Sequence, residues 1–318
     1  MKLLASIIIA LLFGSISTAQ TDLPDTFTPC TGYSDNVPPN AVNAGPWANR
    51  LMLAFSADGL AWEKTNTILS DQADVPDVIV TPDGEIRVYY ITWCPDELNN
   101  RIAVASSTDA ETWEFRPVTI TRENNEPLGM PADPTIEMGE DGEYRLYFTS
   151  QIPPMQYAGS HVATSDDGYH FVYVGEVFST DFHGALDVNV LQIGDTWHYF
   201  AGGIPGENFH GISDDGLSFT RVDDFVNDRI IMSNGVAVEG GYRYYGFQQV
   251  PGNAHIVSFF TTDGETWTLE DGIRLEMDAD GGFEAEGVKD PAVAQLPDGR
   301  WLMVYVTTQP EYPLPNKK

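Results

Sequence analysis

The feature that most constrains the fold is a pattern that occurs five times along the chain. An acidic or amide residue opens an apolar run, a Gly-containing turn follows, and a second apolar run comes after the turn. The opening residues are spaced by 56, 54, 47 and 56 positions and are Asp77, Asp133, Asp187, Asn234 and Asp290. A period of this size is typical of propellers and other repeat architectures. We therefore predict a repeat protein.

A second pattern also occurs five times. A Ser or Thr is followed two residues later by Asp and six residues later by an aromatic residue, as in Ser56, Asp58 and Trp62. The other copies begin at Ser107, Ser165, Ser213 and Thr261. A hydroxyl and an Asp at this spacing bond to the backbone of a turn, and the aromatic side chain packs into the core. These segments are predicted to be structural turns between strands.

Together the two patterns define four strands per repeat. The complete repeats cover 77–117, 133–175, 187–222 and 234–270, and a fifth begins at Asp290 but has only two strands. Residues 50–65 form two strands that have no inner partners of their own. Joining 290–307 to 50–65 completes the last repeat and removes the open edges. The sequence predicts an all-β, five-bladed β-propeller of four-stranded antiparallel blades, with the last blade closed by two strands from each terminus.

The chain ends lie outside this domain. Lys2 and an apolar run from Leu3 to Phe13 precede small residues that end at Ala19, so residues 1–19 read as a signal peptide, and the apolar run is too short to span a bilayer. Residues 20–49 have no periodicity and read as an irregular arm. The propeller domain is predicted over 50–310, followed by a tail over 311–318. We expect a secreted or periplasmic protein.

The sequence contains two cysteines, Cys30 and Cys94. Export permits a disulfide, and two cysteines allow only one pairing. A structural Cys30–Cys94 bridge and two free thiols are the alternatives.

The formal net charge is −31. Such a charge repels nucleic acid, which argues against a nucleic-acid partner, and it also promotes solubility. We expect a monomer that binds neither nucleic acid nor a membrane.

Strand alternation places the predicted functional face at one end of the propeller. Inner strands start, second strands end and third strands start at this end, which also receives the long connections 65–76, 119–132, 175–186, 222–233 and 271–289. Function concentrates in loops held by a rigid scaffold. Candidate residues are therefore expected at this face.

Two groups of charged residues are predicted there. Arg50 and Arg101 begin third strands and could bind an anionic group of a ligand or pair with a neighbouring Asp. Lys289, directly before Asp290, has the same two interpretations. The crowded carboxylates could have raised pKa values suited to acid/base chemistry. Alternatively, an Asp before Pro could accept backbone N–H bonds at a strand start.

These residues resemble the five-bladed glycoside hydrolases of families 43 and 32, which include arabinanases, xylosidases and invertases. The resemblance rests on Asp133-Pro134, Asp290-Pro291, the Asp-Gly hairpins and the repeated turn with its aromatic residue. It implies three axial carboxylates, with Asp77 as base or nucleophile and Asp133 or Asp187 as the residue that orients and tunes it. Lys289-Asp290-Pro291 is similar to the Arg-Asp-Pro of the invertase-like branch. This similarity adds Asp290 to the candidate catalytic carboxylates.

The sequence departs from this pattern at the general acid. The fourth blade is expected to carry a Glu but has Ser233-Asn234-Gly235. Glu284, Glu286 and Glu207 are the nearest candidates, and Glu286 is our predicted proton donor.

Further residues are predicted to bind substrate rather than to react. They are Arg50, Trp93, Arg101, His183, Glu207, Asn234, His255 and Lys289. Trp47, Tyr157, Phe182 and Phe209 could stack on sugar rings or fill the packing. The histidines lack metal-ligand spacing, so no metal site and no required cofactor is predicted, although oxygen ligands in the axial channel would suit Ca²⁺.

Three functions follow from these patterns. The first is a secreted glycoside hydrolase that cleaves oligo- or polysaccharides with axial carboxylates. The second is a non-catalytic propeller that binds a glycan or a protein partner, which the missing fourth-blade Glu favours. The third is a propeller hydrolase or lyase of anionic substrates, which the two arginines favour.

Overall fold

A computed structural model describes residues 23–32, 45–129, 131–139, 142–204, 207–226, 229–248, 250, 252–278 and 280–309. The side chains of Glu97, Ile204, Glu207 and Val226 are not described. The predicted signal peptide and C-terminal tail lie outside the described residues.

The described chain consists almost entirely of strands. In chain order they are β1 (Asn49–Ser56), β2 (Trp62–Asp71), β3 (Ala73–Val80), β4 (Ile86–Thr92), β5 (Arg101–Ser107), β6 (Glu114–Pro117), β7 (Thr119–Thr121), β8 (Ala132–Met138), β9 (Tyr144–Ser150), β10 (Gly159–Ser165), β11 (His170–Phe178), β12 (Leu186–Ile193), β13 (Thr196–Ile204), β14 (Glu207–Ser213), β15 (Thr220–Arg221), β16 (Phe225–Val226), β17 (Ile230–Val238), β18 (Gly241–Gln248), β19 (His255–Thr261), β20 (Thr268–Leu269), β21 (Leu275–Glu276), β22 (Lys289–Gln295) and β23 (Trp301–Thr308). Within the described residues, the only helical element is a 3₁₀ turn over Asp96–Leu98, and no helix is long and apolar enough to cross a membrane.

The strands form five antiparallel blades. From the axis outward, blade 1 is β3-β4-β5-β6, blade 2 is β8-β9-β10-β11, blade 3 is β12-β13-β14-β15, blade 4 is β17-β18-β19-β20 and blade 5 is β22-β23-β1-β2. Short strands extend three blades: β7 pairs with β11 in parallel, β16 with β14, and β21 with β19. The predicted all-β, five-bladed propeller is confirmed.

Blade 5 closes the ring as predicted. β1 pairs with β23 from Asn49 opposite Thr308 to Ser56 opposite Trp301. Two strands from each end of the chain thus share one sheet, and the inner strand β22 contacts β3 of blade 1. The pairing removes an exposed edge at both ends of the propeller.

The turns that carry Ser or Thr and Asp have the predicted side-chain bonds. In the first copy, Ser56 Oγ accepts the N–H of Gly59 at 2.9 Å, and Asp58 Oδ1 accepts the N–H groups of Leu60 and Ala61 at 2.8 and 2.9 Å. The hydroxyl bonds recur in the other four copies. The turns lie at the end of the propeller opposite the candidate site, which supports their structural assignment.

The residues that open the inner strands are not equivalent in the way the sequence spacing suggested. In four blades a β-bulge skips two residues near the strand start, and the first of them has a positive φ. These residues are Val75, Asp133, Asp187 and Asp290, with φ of 46°, 50°, 53° and 46°. Asp77 therefore does not correspond to Asp133, because it lies two residues further along its strand. A spacing count cannot see a bulge, which adds residues to one strand only.

Two layers of inward-facing residues follow from this register. The mouth is the layer at the strand starts and consists of Val75, Asp133, Asp187, Ser233 and Asp290. The waist is the layer that pairs directly after the bulges and consists of Asp77, Thr135, Asn189, Asn234 and Ala292. Val75, Thr135, Asp187, Ser233 and Asp290 surround one small cavity, and Asn234 bonds to Asp77 of a non-neighbouring blade. Both layers thus line the axial channel, with the waist below the mouth.

The N-terminal arm covers the junction between blades 5 and 1. The N–H of Phe27 donates to the carbonyl of Phe115 in β6 at 3.0 Å, and the N–H of Gly32 donates to Asp71 at the end of β2 at 2.5 Å. A disulfide joins Cys30 to Cys94, which follows β4. The arm thus bridges the last blade and the first.

Candidate active site

The mouth brings three carboxylates of three different blades to the axis. Asp133, Asp187 and Asp290 each occupy the left-handed position of the bulge, which Asp tolerates better than most residues do. The backbone N–H of Asp187 donates to Asp133 Oδ2 at 3.3 Å. The bulge therefore turns these side chains into the channel, and the predicted convergence of Asp133, Asp187 and Asp290 is present in the structure.

A fourth carboxylate reaches the mouth from blade 1, and the sequence analysis missed it. Val75 occupies the left-handed position there, but Asp74 precedes it. Lys289 Nζ donates to Asp74 Oδ1 at 2.6 Å and also to Asp290 Oδ2. Asn49 Nδ2 donates to Asp74 Oδ2 at 2.8 Å. Aligning Val75-Pro76 with Asp133-Pro134 would have placed Asp74 next to the mouth. The alignment of blade 1 at Asp77 obscured this match.

Asp133, Asp187 and Asp290 have raised pKa values. Burial raises the pKa of Asp187 well above its usual range, and the charges of Asp133 and Asp290 add to this effect. Burial also raises the pKa of Asp133, while a hydrogen bond from the N–H of Asp187 acts in the opposite direction. Because Asp133 and Asp187 interact, they titrate as a pair. Burial and mutual repulsion favour a proton on this pair.

Asp290 differs because a cation is bound to it. Burial raises its pKa to about 6, while Lys289 acts in the opposite direction. Burial lowers the pKa of Lys289, but the carboxylates of Asp290 and Asp74 outweigh that effect and raise it. The ammonium is therefore charged, and Asp290 is mostly ionised at pH 7. The mouth thus combines a carboxyl pair in which burial favours the protonated form with a carboxylate that a cation keeps ionised.

The waist closes the channel below the mouth. Asp77 Oδ2 accepts the N–H of Ile136 at 2.7 Å, and Asp77 Oδ1 accepts the N–H of Val78 and Asn234 Nδ2, both at 2.9 Å. Asn234 Oδ1 accepts the N–H of Val293 at 2.8 Å. Blades 1 and 4 are not neighbours in the ring, so the Asp77–Asn234 bond crosses the axis. Both side chains are committed to holding blades together rather than to the mouth.

A further carboxyl lies below the waist. Burial raises the pKa of Glu137 well above its usual range, and the charge of Asp77 acts in the same direction. Tyr244 donates to Asn189 at the same depth. Glu137 is two residues beyond Thr135 on β8, so it extends the inward-facing row. The sequence analysis missed it because its position depends on the register of the strand.

The two predicted arginines have different surroundings. Arg50 is buried, and its Nε lies 2.8 Å from Asp71 Oδ1, so pairing with a neighbouring Asp describes it better than substrate binding. Arg101 is partly exposed at the start of β5. No carboxylate of the described residues lies within ion-pair distance of Arg101. Of the two, only Arg101 is open to a ligand.

The predicted aromatic and histidine residues surround the mouth at larger radius. Trp93 and Trp47 pack edge to face with ring centroids 5.3 Å apart, and both are partly exposed. His183 stacks on the buried Phe209 at 5.0 Å. His255 is partly exposed and its Nδ1 lies 2.8 Å from the carbonyl of Asn253.

The glutamates have separate positions. Glu284 is buried and accepts the hydroxyl of Tyr305 at 2.5 Å, with Lys64 Nζ 3.5 Å away, so it belongs to blade 5 rather than to the mouth. Glu286 is partly exposed in the connection that leads into β22. The side chain of Glu207 lies outside the described part. Glu286 stays a predicted proton donor.

The mouth does not fit a calcium site. Lys289 places its ammonium between Asp74 and Asp290, where a bound cation would need their oxygens. Among the described residues, no group of three or more His, Cys, Asp or Glu side chains has metal-binding geometry. We therefore derive no step through a metal ion.

No protein-family model matches this sequence, and no curated protein is significantly similar to it. Solved structures do resemble its fold. A thermostable family-43 glycoside hydrolase superposes with a TM-score of 0.59 at 13% identity, over 74% of this chain and 88% of that one. An α-L-arabinofuranosidase from Clostridium thermocellum ATCC 27405 gives 0.57 at 16% identity, over 73% and 81%. A glycosyl hydrolase from Bacteroides ovatus gives 0.54 at 15% identity, over 89% and 96%.

These identities are low, so the likeness concerns the fold. The chain has the five-bladed β-propeller fold of family-43 and related glycoside hydrolases. Superfolds of this kind carry several chemistries, so the activity has to be argued from the mouth itself.

Proposed function

We propose that the protein is a glycoside hydrolase that binds carbohydrate across the mouth of its axial channel. The observation that carries this proposal is the contact of Asp133 with Asp187 beside Asp290, to which Lys289 is bonded. Cleavage of a glycosidic bond requires one carboxylic acid and one carboxylate on opposite sides of the bond. Burial favours a proton on the Asp133–Asp187 pair, and Lys289 favours the ionised form of Asp290.

In this proposal each carboxyl has a separate role. Asp133 accepts the N–H of Asp187, which favours the ionised form of Asp133, so Asp187 is the member that donates a proton to the leaving glycosidic oxygen. Asp290 acts as the carboxylate that either activates water or attacks the anomeric carbon. Water supplies the hydroxyl of the new reducing end, and the configuration of the first product distinguishes the two routes. Asp74 positions Lys289, which in turn keeps Asp290 ionised.

The shape of the mouth bears on how a substrate would lie. The free space between Val75, Asp187, Ser233 and Asp290 is about 10 Å³, which is room for about one water molecule. The Asp77–Asn234 bond closes the channel beneath. A sugar ring would thus lie over the mouth, where Trp47 and Trp93 offer aromatic surface, rather than inside the channel.

The charge of the mouth favours neutral sugars over uronates or phosphorylated sugars. Four carboxylates, those of Asp74, Asp133, Asp187 and Asp290, face one ammonium, and Lys289 already bonds to two of them. Arg50 is paired with Asp71. The case for an anionic substrate is correspondingly weaker.

A non-catalytic glycan-binding propeller is the second candidate, and one observation favours it. Blade 1 has Val75 where three other blades have Asp, and blade 4 has Ser233 at the mouth. Such a protein would bind glycan without turnover.

The proposal is tested with aryl furanosides, aryl pyranosides and neutral plant and algal polysaccharides. Wild type is compared with Asp187→Asn, Asp290→Asn and Glu286→Gln, and with Asp195→Asn as a matched control at an exposed turn. Turnover that is lost in the first two and kept in the control supports the assigned roles. Loss in Glu286→Gln alone would move the proton donor to Glu286. Glycan binding without any turnover would establish the second candidate.

Export of the protein is part of the same proposal. The support is the sequence of residues 1–19, with its basic start, apolar run and small residues before Gln20. N-terminal sequencing of protein recovered outside the cytoplasm tests it, and an intact Met1 there would contradict cleavage.

A further inference from the structure

Neighbouring blades are joined by a repeated clamp. An Arg and a Tyr of the second strand donate to carbonyls in the Ser/Thr-Asp turn of the next blade. Arg87 donates to the carbonyl of Asp167 at 2.7 Å, and Tyr89 donates to that of Gly168 at 2.8 Å. Arg145 and Tyr147 of blade 2 bond to the turn of blade 3 in the same way, and Arg243 and Tyr245 of blade 4 bond to the turn of blade 5. We call each junction of two blades a seam, and three seams carry this clamp.

The seam between blades 3 and 4 has different residues in these positions. The strand register places His198 where the other blades have Arg, and Phe200 where they have Tyr. His198 is buried and lies against the turn of blade 4, since a Cβ on Gly264 would be 2.6 Å from its Nε2. Phe200 contacts Tyr244 and Trp267 of blade 4 edge to face, with centroids 4.8 and 5.8 Å apart.

His198 is bonded to a second histidine instead of to a turn carbonyl. Its Nδ1 lies 3.0 Å from Nε2 of His210, and the two rings stack with centroids 5.2 Å apart. Phe200 stacks on the other side of His210 at 4.5 Å. A hydrogen bond between two imidazoles needs a proton on one nitrogen and a lone pair on the other. The contact is therefore stable only while at least one ring is neutral.

The surroundings of the pair do not compensate for a second charge. His198 is close to Asp263 in the turn of blade 4, and His210 is close to Asp223 and Asp224 after β15. Asp224 is already paired with Arg221. Burial lowers the pKa of both histidines, to about 4 for His210, where the neighbouring His198 adds to the effect. The pair is thus neutral at pH 7.

We propose that this seam is a pH-sensitive latch, in which the His198–His210 hydrogen bond keeps blades 3 and 4 together at neutral pH and releases them in mild acid. Protonation of both rings turns a donor–acceptor contact into one between two N–H groups. The rings then separate, and the contacts of Phe200 with blade 4 loosen. The Arg and Tyr side chains of the three clamped seams do not titrate in this range, so the clamped turns serve as the reference. Asp77 does titrate in this range, but it bonds to Ile136 in β8 and not to a clamped turn.

Hydrogen–deuterium exchange of the wild-type protein at pH 7 and pH 5 tests the latch. After correction for the intrinsic rates, amides of β13, β14 and the turn over 261–264 should exchange at least about 10-fold faster at pH 5. The turn over 56–59 of blade 5, which Arg243 and Tyr245 clamp, should not change. An equal response in all turns would overturn the proposal.

The variant His198→Arg with Phe200→Tyr gives blade 3 the clamp residues of the other seams. After the same correction, its amides in β13, β14 and the turn over 261–264 should exchange equally fast at pH 7 and pH 5. Because burial lowers the pKa of His210 to about 4 in the folded state, acid favours unfolding of wild type. Its unfolding constant should therefore rise on the order of 50-fold more between pH 7 and 4.5 than that of His210→Phe, which lacks this imidazole.

Two further variants complete the design. His210→Phe keeps a ring against Phe200 and removes the hydrogen bond between the two imidazoles together with one of the two titrating groups. Acid then has no such bond to break, so the response of this seam should be lost even if the double variant folds poorly. His255→Gln removes a histidine outside the seam and should retain the response. A response that persists in both seam variants would assign it to other groups and reject the latch.

Discussion

The mouth and the waist of the axial channel use similar residues for different purposes. Both layers come from the same inner strands, and only two positions separate Asp133 from Thr135 or Asp187 from Asn189 along each strand. At the mouth, the residues at the left-handed bulge do not pair in the strand ladder, and their carboxylates face one another. At the waist, Asp77 and Asn234 receive the N–H groups of neighbouring blades. The same side chain is therefore reactive or structural according to the backbone that holds it.

The largest effect is expected from Asp187→Asn at the mouth. The proposed proton donor would be lost, so kcat should fall by about 10²- to 10⁴-fold. Stability should stay the same or increase, since burial disfavours the charged carboxyl. The measurement is initial rate together with thermal unfolding. Reduced stability with normal activity would place Asp187 with the waist instead.

The reverse is expected of Asp77→Asn at the waist. The amide of Asn has one oxygen where the carboxyl of Asp has two, so one of the three donors loses its acceptor. The free energy of unfolding should therefore fall by about 2 kcal/mol at pH 5. Activity per folded molecule should be unchanged. Urea unfolding measures the stability, and initial rates divided by the concentration of folded protein measure the activity. Loss of turnover in the folded variant would restore Asp77 to the predicted role of base.

The waist also has a pH dependence of its own. Burial raises the pKa of Asp77 from 3.8 to about 7 in the folded state, although three hydrogen bonds act against this. The folded protein thus holds a proton that the unfolded chain has lost, and the stability from Asp77 is complete below pH 4 and is lost as the pH rises through 7. The unfolding free energy of wild type minus that of Asp77→Asn should decrease by roughly 4 kcal/mol from pH 4 to pH 8, so the advantage of wild type at pH 5 should vanish near pH 7 and reverse above it. A constant difference across this range would contradict the assignment.

Lys289→Met should change the mouth without removing a carboxylate. Lys289 lowers the pKa of Asp290, so its loss should move the acid limb of the pH–rate profile up from about 6. We expect a displacement on the order of one pH unit. The profile of kcat/KM measures it, with Lys64→Met in blade 5 as the matched control. An unshifted limb would mean that Asp290 does not control the rate.

The smallest effect is expected at Val75, the one left-handed position of the mouth layer without Asp. A β-branched residue at φ 46° is strained. Val75→Asn should relieve the strain and raise the unfolding free energy by about 1 kcal/mol. Val78→Asn, in the same strand but with ordinary backbone, should destabilise the protein. A loss of stability in both variants would show that packing of Val75 outweighs its backbone strain.

The sequence was sufficient for the architecture. The repeated turns specify where strands end, because a hydroxyl and an Asp at that spacing satisfy their own backbone. The unpaired strands at the two ends specify how the ring closes. Both signals are local, so periodicity alone reveals them. The acidic starts of the inner strands also placed Asp133, Asp187 and Asp290 at one end of the propeller.

Only the tertiary structure decided which of those acids meet and which partners they have. The bulges shift Asp77 from the mouth to the waist and bring Asp74 into its place. Lys289 reaches Asp74 across 215 positions of sequence, and His198 meets His210 because two strands pair in one register. Long-range pairing depends on register and ring closure, which no local spacing encodes. The chemistry of the mouth therefore depends on the closed propeller, whereas the repeats in the sequence are sufficient to predict the propeller fold.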